Sequence, residues 1–113
     1  MLELKDTVRM MGSSDYKDRF KAEYLQTKIR YDKLHKMVIK YEAKTLDFKP
    51  SCSIELLKEQ KRYMGNYLYC LEVRAEIEGI LLDNLNEEII AERGYFKSLS
   101  EGTSTISTKV VRG

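Results

Sequence analysis

A single proline, Pro50, divides the 113-residue chain into two proline-free stretches whose apolar residues recur at helical spacing. Proline breaks helices that contain it and disfavours helical backbone at the residue before it. Its position therefore predicts a connection over residues 45–53, with one helix before it and one after it. Ser51 or Ser53 is expected to cap the second helix, and Phe48 to cover the open end of the resulting hairpin.

The first long helix is predicted over residues 14–44, with Ser13 or Ser14 as its N-terminal cap. Its apolar and aromatic residues alternate at three- and four-residue intervals, which places them on one stripe of a helix. The stripe comprises Phe20, Tyr24, Thr27, Tyr31, Leu34, Val38 and Tyr41. Any tyrosine buried in this stripe needs a hydrogen-bonding partner for its hydroxyl group.

The second long helix is predicted over residues 54–82 and carries a wider apolar stripe. Its core positions are Ile54, Leu57, Met64, Leu68, Leu71, Ala75 and Leu82, and the stripe is widened by Tyr63, Tyr67, Ile77 and Ile80. Similar lengths and a short connection favour an antiparallel helical hairpin. A short amphipathic helix over residues 1–11 is expected to precede it, so the predicted fold is all-α.

Two helices cannot enclose a core by themselves, and each leaves part of its stripe in water. Self-association would cover that surface, so we expect a homo-oligomer. Residues 1–100 are expected to form one helical domain, in which helix resumes over residues 87–93 and Gly94 is the C-cap. Residues 101–113 are rich in hydroxyl and β-branched side chains, which predicts a disordered tail or a short strand.

Composition excludes several classes of protein. Charged residues make up 34% and hydrophobic residues 42%, which is too apolar for a disordered chain and too charged for a membrane protein. The net charge of +2 does not point to binding of duplex nucleic acid. No apolar run approaches the roughly 18 residues of a membrane span, and residues 1–11 lack a signal-peptide core. The expected location is the cytoplasm.

The first helix is locally basic, and its basic residues alternate with aromatic ones near its start. Aromatic rings can stack on a nucleobase while Lys and Arg neutralise phosphate. This pattern predicts a ligand-binding set of Tyr16, Lys17, Arg19 and Lys21, together with Arg30 and Lys33. The alternative interpretation is that these charges form a solvated helix surface and that the rings on the stripe pack in the core. Tyr16 lies off that stripe.

The sequence carries no recognisable catalytic, metal or cofactor motif. His35 is the only histidine, Cys52 and Cys70 are too far apart in the sequence for a zinc or redox pair, and there is no phosphate-binding glycine loop. We therefore predict a protein that is not an enzyme and has no cofactor and no metal, with both cysteines as reduced thiols.

Five segments of the sequence carry a resemblance to a known family. They are residues 15–24, 28–37, 46–48, 55–60 and 71–78. Over residues 14–82 the chain resembles a family of small phage and prophage proteins related to a protein of a crAss-like phage, which implies a phage origin. The architecture is also similar to that of phage anti-CBASS proteins, which are oligomers that sequester cyclic nucleotide signals of bacterial immunity.

These resemblances imply a phage counter-defence protein that binds and sequesters a cyclic or ADP-ribose-type nucleotide messenger without catalysis, at a site between subunits. The alternative is a helical protein–protein interaction module that inhibits a host or phage protein, for example a nuclease. A third interpretation is a structural or regulatory phage factor.

Overall fold

A computed structural model describes residues 2–83 and residue 85 of the chain. A 3-10 turn, Leu4–Thr7, runs into the short helix α1, Val8–Met11, and two long helices follow: α2, Tyr16–Glu42, and α3, Ile54–Glu78. The described residues are helical with no strand, which confirms the predicted all-α class. The predicted helix over residues 87–93, the C-cap at Gly94 and the tail over residues 101–113 lie outside the described residues.

The two long helices form the predicted antiparallel hairpin, and the N-terminal turn and α1 pack against α2. Contacts at both ends of the hairpin establish its direction. The start of α2 meets the end of α3 where the Tyr16 hydroxyl donates to Glu78. The end of α2 meets the start of α3 where Lys58 forms a salt bridge with Glu42. The first of these is called the Gly79 end below, and the second, which holds residues 43–53, the connection end.

Helix α2 begins after an aspartate, and the prediction of Ser13 or Ser14 as its N-cap was wrong. Asp15 has extended backbone angles, and its carboxylate accepts a hydrogen bond from the Lys17 backbone N–H at 3.0 Å. Ser13 supports this turn because its hydroxyl accepts from the Asp15 N–H and donates to Asp18. A carboxylate at this position also interacts favourably with the positive end of the helix dipole.

Helix α3 begins as predicted but ends four residues earlier than predicted. The Ser53 hydroxyl accepts from the Leu56 N–H at 3.1 Å, so Ser53 is the cap. Gly79 has a φ of 73°, and the Ile80 N–H bonds back to the Ala75 carbonyl, which is how left-handed glycine caps end helices. The reversal turns Ile80 into the core, where it is buried.

The core is concentrated at the Gly79 end of the hairpin. Phe20, Leu71, Ala75 and Ile80 form one buried cluster, with Tyr24 and Leu82 packed against it. A second cluster joins Leu25 to Leu85, with Leu2 and Met10 at its edge. The sequence did not predict this second cluster, because it brings Leu25 together with residues that are distant from it in the sequence.

The N-terminal segment is attached by a polar contact as well as by apolar packing. Thr7 is fully buried. Its hydroxyl donates to the Leu4 carbonyl at 2.8 Å and accepts from the Gln26 amide at 2.8 Å. The buried hydroxyl thus both donates and accepts a hydrogen bond, which keeps the free-energy cost of its burial low.

Several aromatic and apolar residues of the connection and of the predicted stripes are exposed in the single chain. Phe48 is 55% exposed, so it does not cover the end of the hairpin as predicted. Tyr41 on α2 is also exposed, as are Tyr63, Tyr67 and Ile77 on α3. Within the described part of the chain, no helix combines the length and apolar composition needed to cross a membrane.

Candidate functional site

Tyr16, the aromatic residue predicted to meet a ligand, is engaged within the protein. Its hydroxyl donates to Glu78 at 2.9 Å and accepts from the Arg74 guanidinium at 2.8 Å. Arg74 also lies over the Phe20 ring, 4.9 Å from the ring centroid. These contacts fasten the start of α2 to the end of α3, so stacking of Tyr16 on a base would compete with them.

The structure does not gather the other predicted binding residues into one place. Lys17 is exposed, Lys21 is partly buried, and the Arg19 guanidinium donates to the Ser13 carbonyl at 2.8 Å. Arg30 and Lys33 are exposed further along α2. Helical geometry separates Lys17 from Arg30 by about 20 Å along the axis and about 140° around it. Lys17 and Lys21 remain one turn apart on a common side.

The Gly79 end of the hairpin is acidic. A recess of about 230 Å³ there is lined by Tyr24, Glu72, Glu76 and Asp83, among others. The Tyr24 hydroxyl donates to Glu72 at 2.8 Å, and burial, together with this hydrogen bond to a carboxylate, raises the pKa of Tyr24 to about 12. Negative charge at this recess disfavours a phosphate group there.

A larger groove lies towards the connection end and is basic. It has a volume of about 540 Å³ and runs between α2 and α3. It is lined by Tyr31, Val38, Glu42, Lys58, Lys61, Arg62, Gly65 and Asn66. We call this feature the basic groove. Its size lies within the range of about 300–1,000 Å³ that is usual for small-molecule sites.

Tyr31 forms the aromatic wall of the basic groove. The ammonium groups of Lys28 and Lys61 lie 5.9 and 5.7 Å from its ring centroid. The His35 ring stacks parallel to it at 6.2 Å, with an interplanar angle of 2°. Both ammonium groups lie over the ring, so a base that stacked on Tyr31 would take the place of one of these cation–π contacts, and the displaced ammonium could bind phosphate.

Gly65 leaves room for about one methyl group beside that aromatic wall. A Cβ atom at this position would lie 3.4 Å from Tyr31 Cε1, which is an ordinary van der Waals contact. Packing between the helices therefore does not require glycine there. A glycine in a helix interior costs about 1 kcal/mol relative to alanine. The chain thus carries a destabilising residue where its absent methyl group widens the groove.

The three cations of α3 differ in their partners. Lys58 forms a 2.6 Å salt bridge with Glu42, which raises the pKa of Lys58, and Arg62 forms one of 2.6 Å with Glu59. Among the described residues, no carboxylate lies within salt-bridge distance of Lys61. An anion entering the groove therefore meets Lys61 directly, and it must compete with a carboxylate at Lys58 and Arg62.

Sequence reasoning missed the basic groove because it sought the site on α2 alone. The available signal was the spacing of Lys58, Lys61 and Arg62, which places three cations on one side of α3. The local sequence does not indicate how α3 packs on α2, so it does not show that Gly65 lies near Tyr31.

Metal and thiol chemistry find no support in the described residues. No group of three His, Cys, Asp or Glu side chains there could hold a metal ion. Cys52 and Cys70 are separate, exposed thiols rather than a pair.

Comparison with known proteins identifies the family of the chain. No curated protein matches the sequence, and no solved structure matches it either. One family model does match: the model described as Sequestin covers residues 14–77, which is more than half of the chain and includes α2, the connection and nearly all of α3. The chain therefore belongs to the Sequestin family.

Proposed function

We propose that this protein binds and sequesters a phosphate-bearing nucleotide, and that the basic groove holds it. The observation that carries the proposal is the Tyr31 ring, which has Lys28 and Lys61 over it and Gly65 near its edge. A nucleobase would stack on Tyr31, and the phosphates would lie against the cations. The family name, which denotes sequestration, supports binding without turnover.

The individual roles follow from the positions of the side chains. Lys61 is the primary phosphate contact because no carboxylate of the described residues lies within salt-bridge distance of it. Arg62 and Lys58 exchange Glu59 and Glu42 for the ligand's oxygens, and such exchange costs little because both carboxylates are solvent-exposed. Asn66 supplies an amide that can donate to and accept from a base edge.

The biological role that we propose is phage counter-defence in the host cytoplasm. The ligand would be a cyclic or ADP-ribose-type immune messenger, and the protein would act as a homo-oligomer. The resemblance to phage proteins supports this role, as does the lack of recognisable catalytic motifs in the sequence. Sequestration needs high affinity but no reactive group, which suits a site built from cations and an aromatic ring.

A second location for the same ligand is the cluster predicted from the sequence: Tyr16, Lys17, Arg19 and Lys21. Lys17 and Lys21 lie one turn apart, so both can approach one phosphate-bearing molecule. We rank the basic groove first because Tyr16 would have to leave Glu78 and Arg74 before stacking on a base.

Calorimetry with a panel of cyclic dinucleotides, cyclic trinucleotides and cyclic ADP-ribose isomers tests the proposal. For a ligand that binds, Lys61→Ala with Arg62→Ala should weaken affinity at least tenfold, because a charge-assisted contact contributes about 1.5–3 kcal/mol. Lys36→Ala with Lys40→Ala is the matched control, since these lysines are exposed on α2 and do not line the groove.

Three outcomes would change the proposal. No heat from any ligand in the panel would refute nucleotide sequestration and favour the protein-binding alternative. Loss of affinity in Lys17→Ala with Lys21→Ala, but not in the groove variant, would move the site to the start of α2. Equal loss in the control variant would indicate a nonspecific effect of charge.

A further inference from the structure

Helix α3 carries a second stripe of residues beside its core positions, and one of its members, Arg74, contacts α2 through Tyr16 and Phe20. These residues follow one another at alternating four- and three-residue intervals, which is the spacing of a coiled-coil seam. They are Leu56, Gln60, Tyr63, Tyr67, Cys70, Arg74 and Ile77. We call this set the α3 seam. Every member of it is exposed.

The exposure of the apolar members is high for residues of their size. Leu56 is 58% exposed, Tyr63 57%, Tyr67 41% and Ile77 78%. A shallow groove of about 420 Å³ runs along the same surface and includes Met64 in its lining. Singly exposed apolar residues are common on proteins, but an aligned row along a whole helix indicates a binding surface.

The α3 seam lies beside the surface that α3 packs against α2, and Arg74 stands at the border between them. The buried residues of α3 are Leu68, Leu71 and Ala75, and the seam is displaced around the helix from them. Lys61 and Gly65 of the basic groove lie about 120–160° around the helix from Tyr67. A partner on the seam would therefore leave Lys61 and Gly65 accessible, whereas Arg62, whose guanidinium lies 4.5 Å from the Tyr63 ring centroid, borders both surfaces.

We propose that the α3 seam pairs with the α3 seam of a second copy of this chain. A strict alternation of three and four residues keeps the row aligned with a partner helix of the same period. A helix of this kind is its own complement in a two-fold dimer, in which the same surface of each protomer meets its counterpart. This pairing does not depend on which ligand the protein binds.

The area of the seam fits a small dimer. The exposed parts of its four large apolar side chains amount to about 500 Å² per chain, since large side chains present about 150–250 Å² each. Complete burial of these side chains in both protomers would remove about 1,000 Å² from solvent, which is the size that a specific interface should reach. Arg74 enters such an interface already hydrogen-bonded to Tyr16, which limits the cost of burying its charge.

Light scattering of the full chain at micromolar concentrations tests the pairing. We expect twice the protomer mass. Tyr63→Lys with Ile77→Lys should halve that mass and leave the far-UV circular dichroism unchanged, because both side chains are exposed in the single chain. Val8→Lys with Tyr69→Lys is the matched control: Val8 is 65% exposed and Tyr69 is 67% exposed, but neither belongs to the seam. The control should stay dimeric.

Two results would overturn the proposal. A 113-residue chain that stays monomeric at high concentration would show that no second copy covers the seam. A seam variant that keeps the mass of the parent would show that any assembly uses another surface. Both results are independent of nucleotide calorimetry, so they leave the ligand proposal to its own test.

Discussion

The same substitution at two glycines of one helix region should change stability in opposite directions. Gly65 lies inside α3, and Gly79 ends it with a φ of 73°. Replacing Gly65 by alanine gains about 0.8–1.0 kcal/mol of helix propensity. The new methyl group would meet Tyr31 Cε1 at 3.4 Å and the Tyr31 hydroxyl at 3.7 Å, so little of that gain is lost. We expect a net stabilisation of about 0.5–1 kcal/mol.

Gly79→Ala has no steric component, since nothing lies within 4 Å of the added Cβ atom. Its cost comes from holding a residue with a side chain in the left-handed region, which is about 1–2 kcal/mol. Urea unfolding followed by circular dichroism, at one fixed protomer concentration, measures both changes. The slopes of the two transitions should equal that of the parent protein.

Gly65→Ala also tests the open wall of the basic groove, because its methyl group takes the space that we assign to the ligand. The variant should therefore be more stable and bind a nucleotide less tightly. Destabilisation by more than about 1 kcal/mol would show that α2 and α3 approach each other too closely for a methyl group. The argument that glycine serves the groove rather than the packing would then fail.

Three further measurements probe the fold. In ultraviolet titration, Tyr24 should ionise near pH 12, and Glu72→Gln should lower that pKa. Because the pKa lies above its ordinary value of 10.0, the contribution of the protonated Tyr24 to folding stability is complete below pH 10 and is lost as the pH rises through about 12. Thr7→Val should cost about 1–3 kcal/mol by leaving the Gln26 amide without its acceptor, and a double-mutant cycle with Gln26→Ala should show strong coupling. Leu71→Ala, at a fully buried position, should cost about 2–5 kcal/mol in urea unfolding.

The hairpin could be predicted because its determinants are local. Pro50 and the Ser53 cap mark the connection, and the periodic stripes mark the helices on both sides of it. The end of α3 was predicted too late because apolar residues continue past Gly79 at helical spacing. Only the backbone angle at Gly79 shows that Ile80 reaches the core by reversing the chain rather than by extending the helix.

The candidate site was harder to predict because its parts are distant in sequence. Tyr16 looked available to a ligand, but its partners Arg74 and Glu78 follow it by about sixty residues. Tyr31 was expected in the core, and it does lie on the predicted stripe. What the stripe did not indicate is that Gly65 near its edge turns a packing position into the wall of a groove.

The uneven core has a consequence for hydrogen exchange. All three buried residues of α3 lie in its second half, so the first half, which carries the cations of the basic groove, is held by partly covered side chains and by the exposed Lys58–Glu42 pair. Segments with few buried contacts open at a lower free energy than the whole domain. Amide protons of residues 54–65 should therefore exchange with solvent sooner than those of residues 68–78. A bound nucleotide should slow exchange in the first group selectively, because it would contact that half of α3 and part of its binding free energy would stabilise the closed state there.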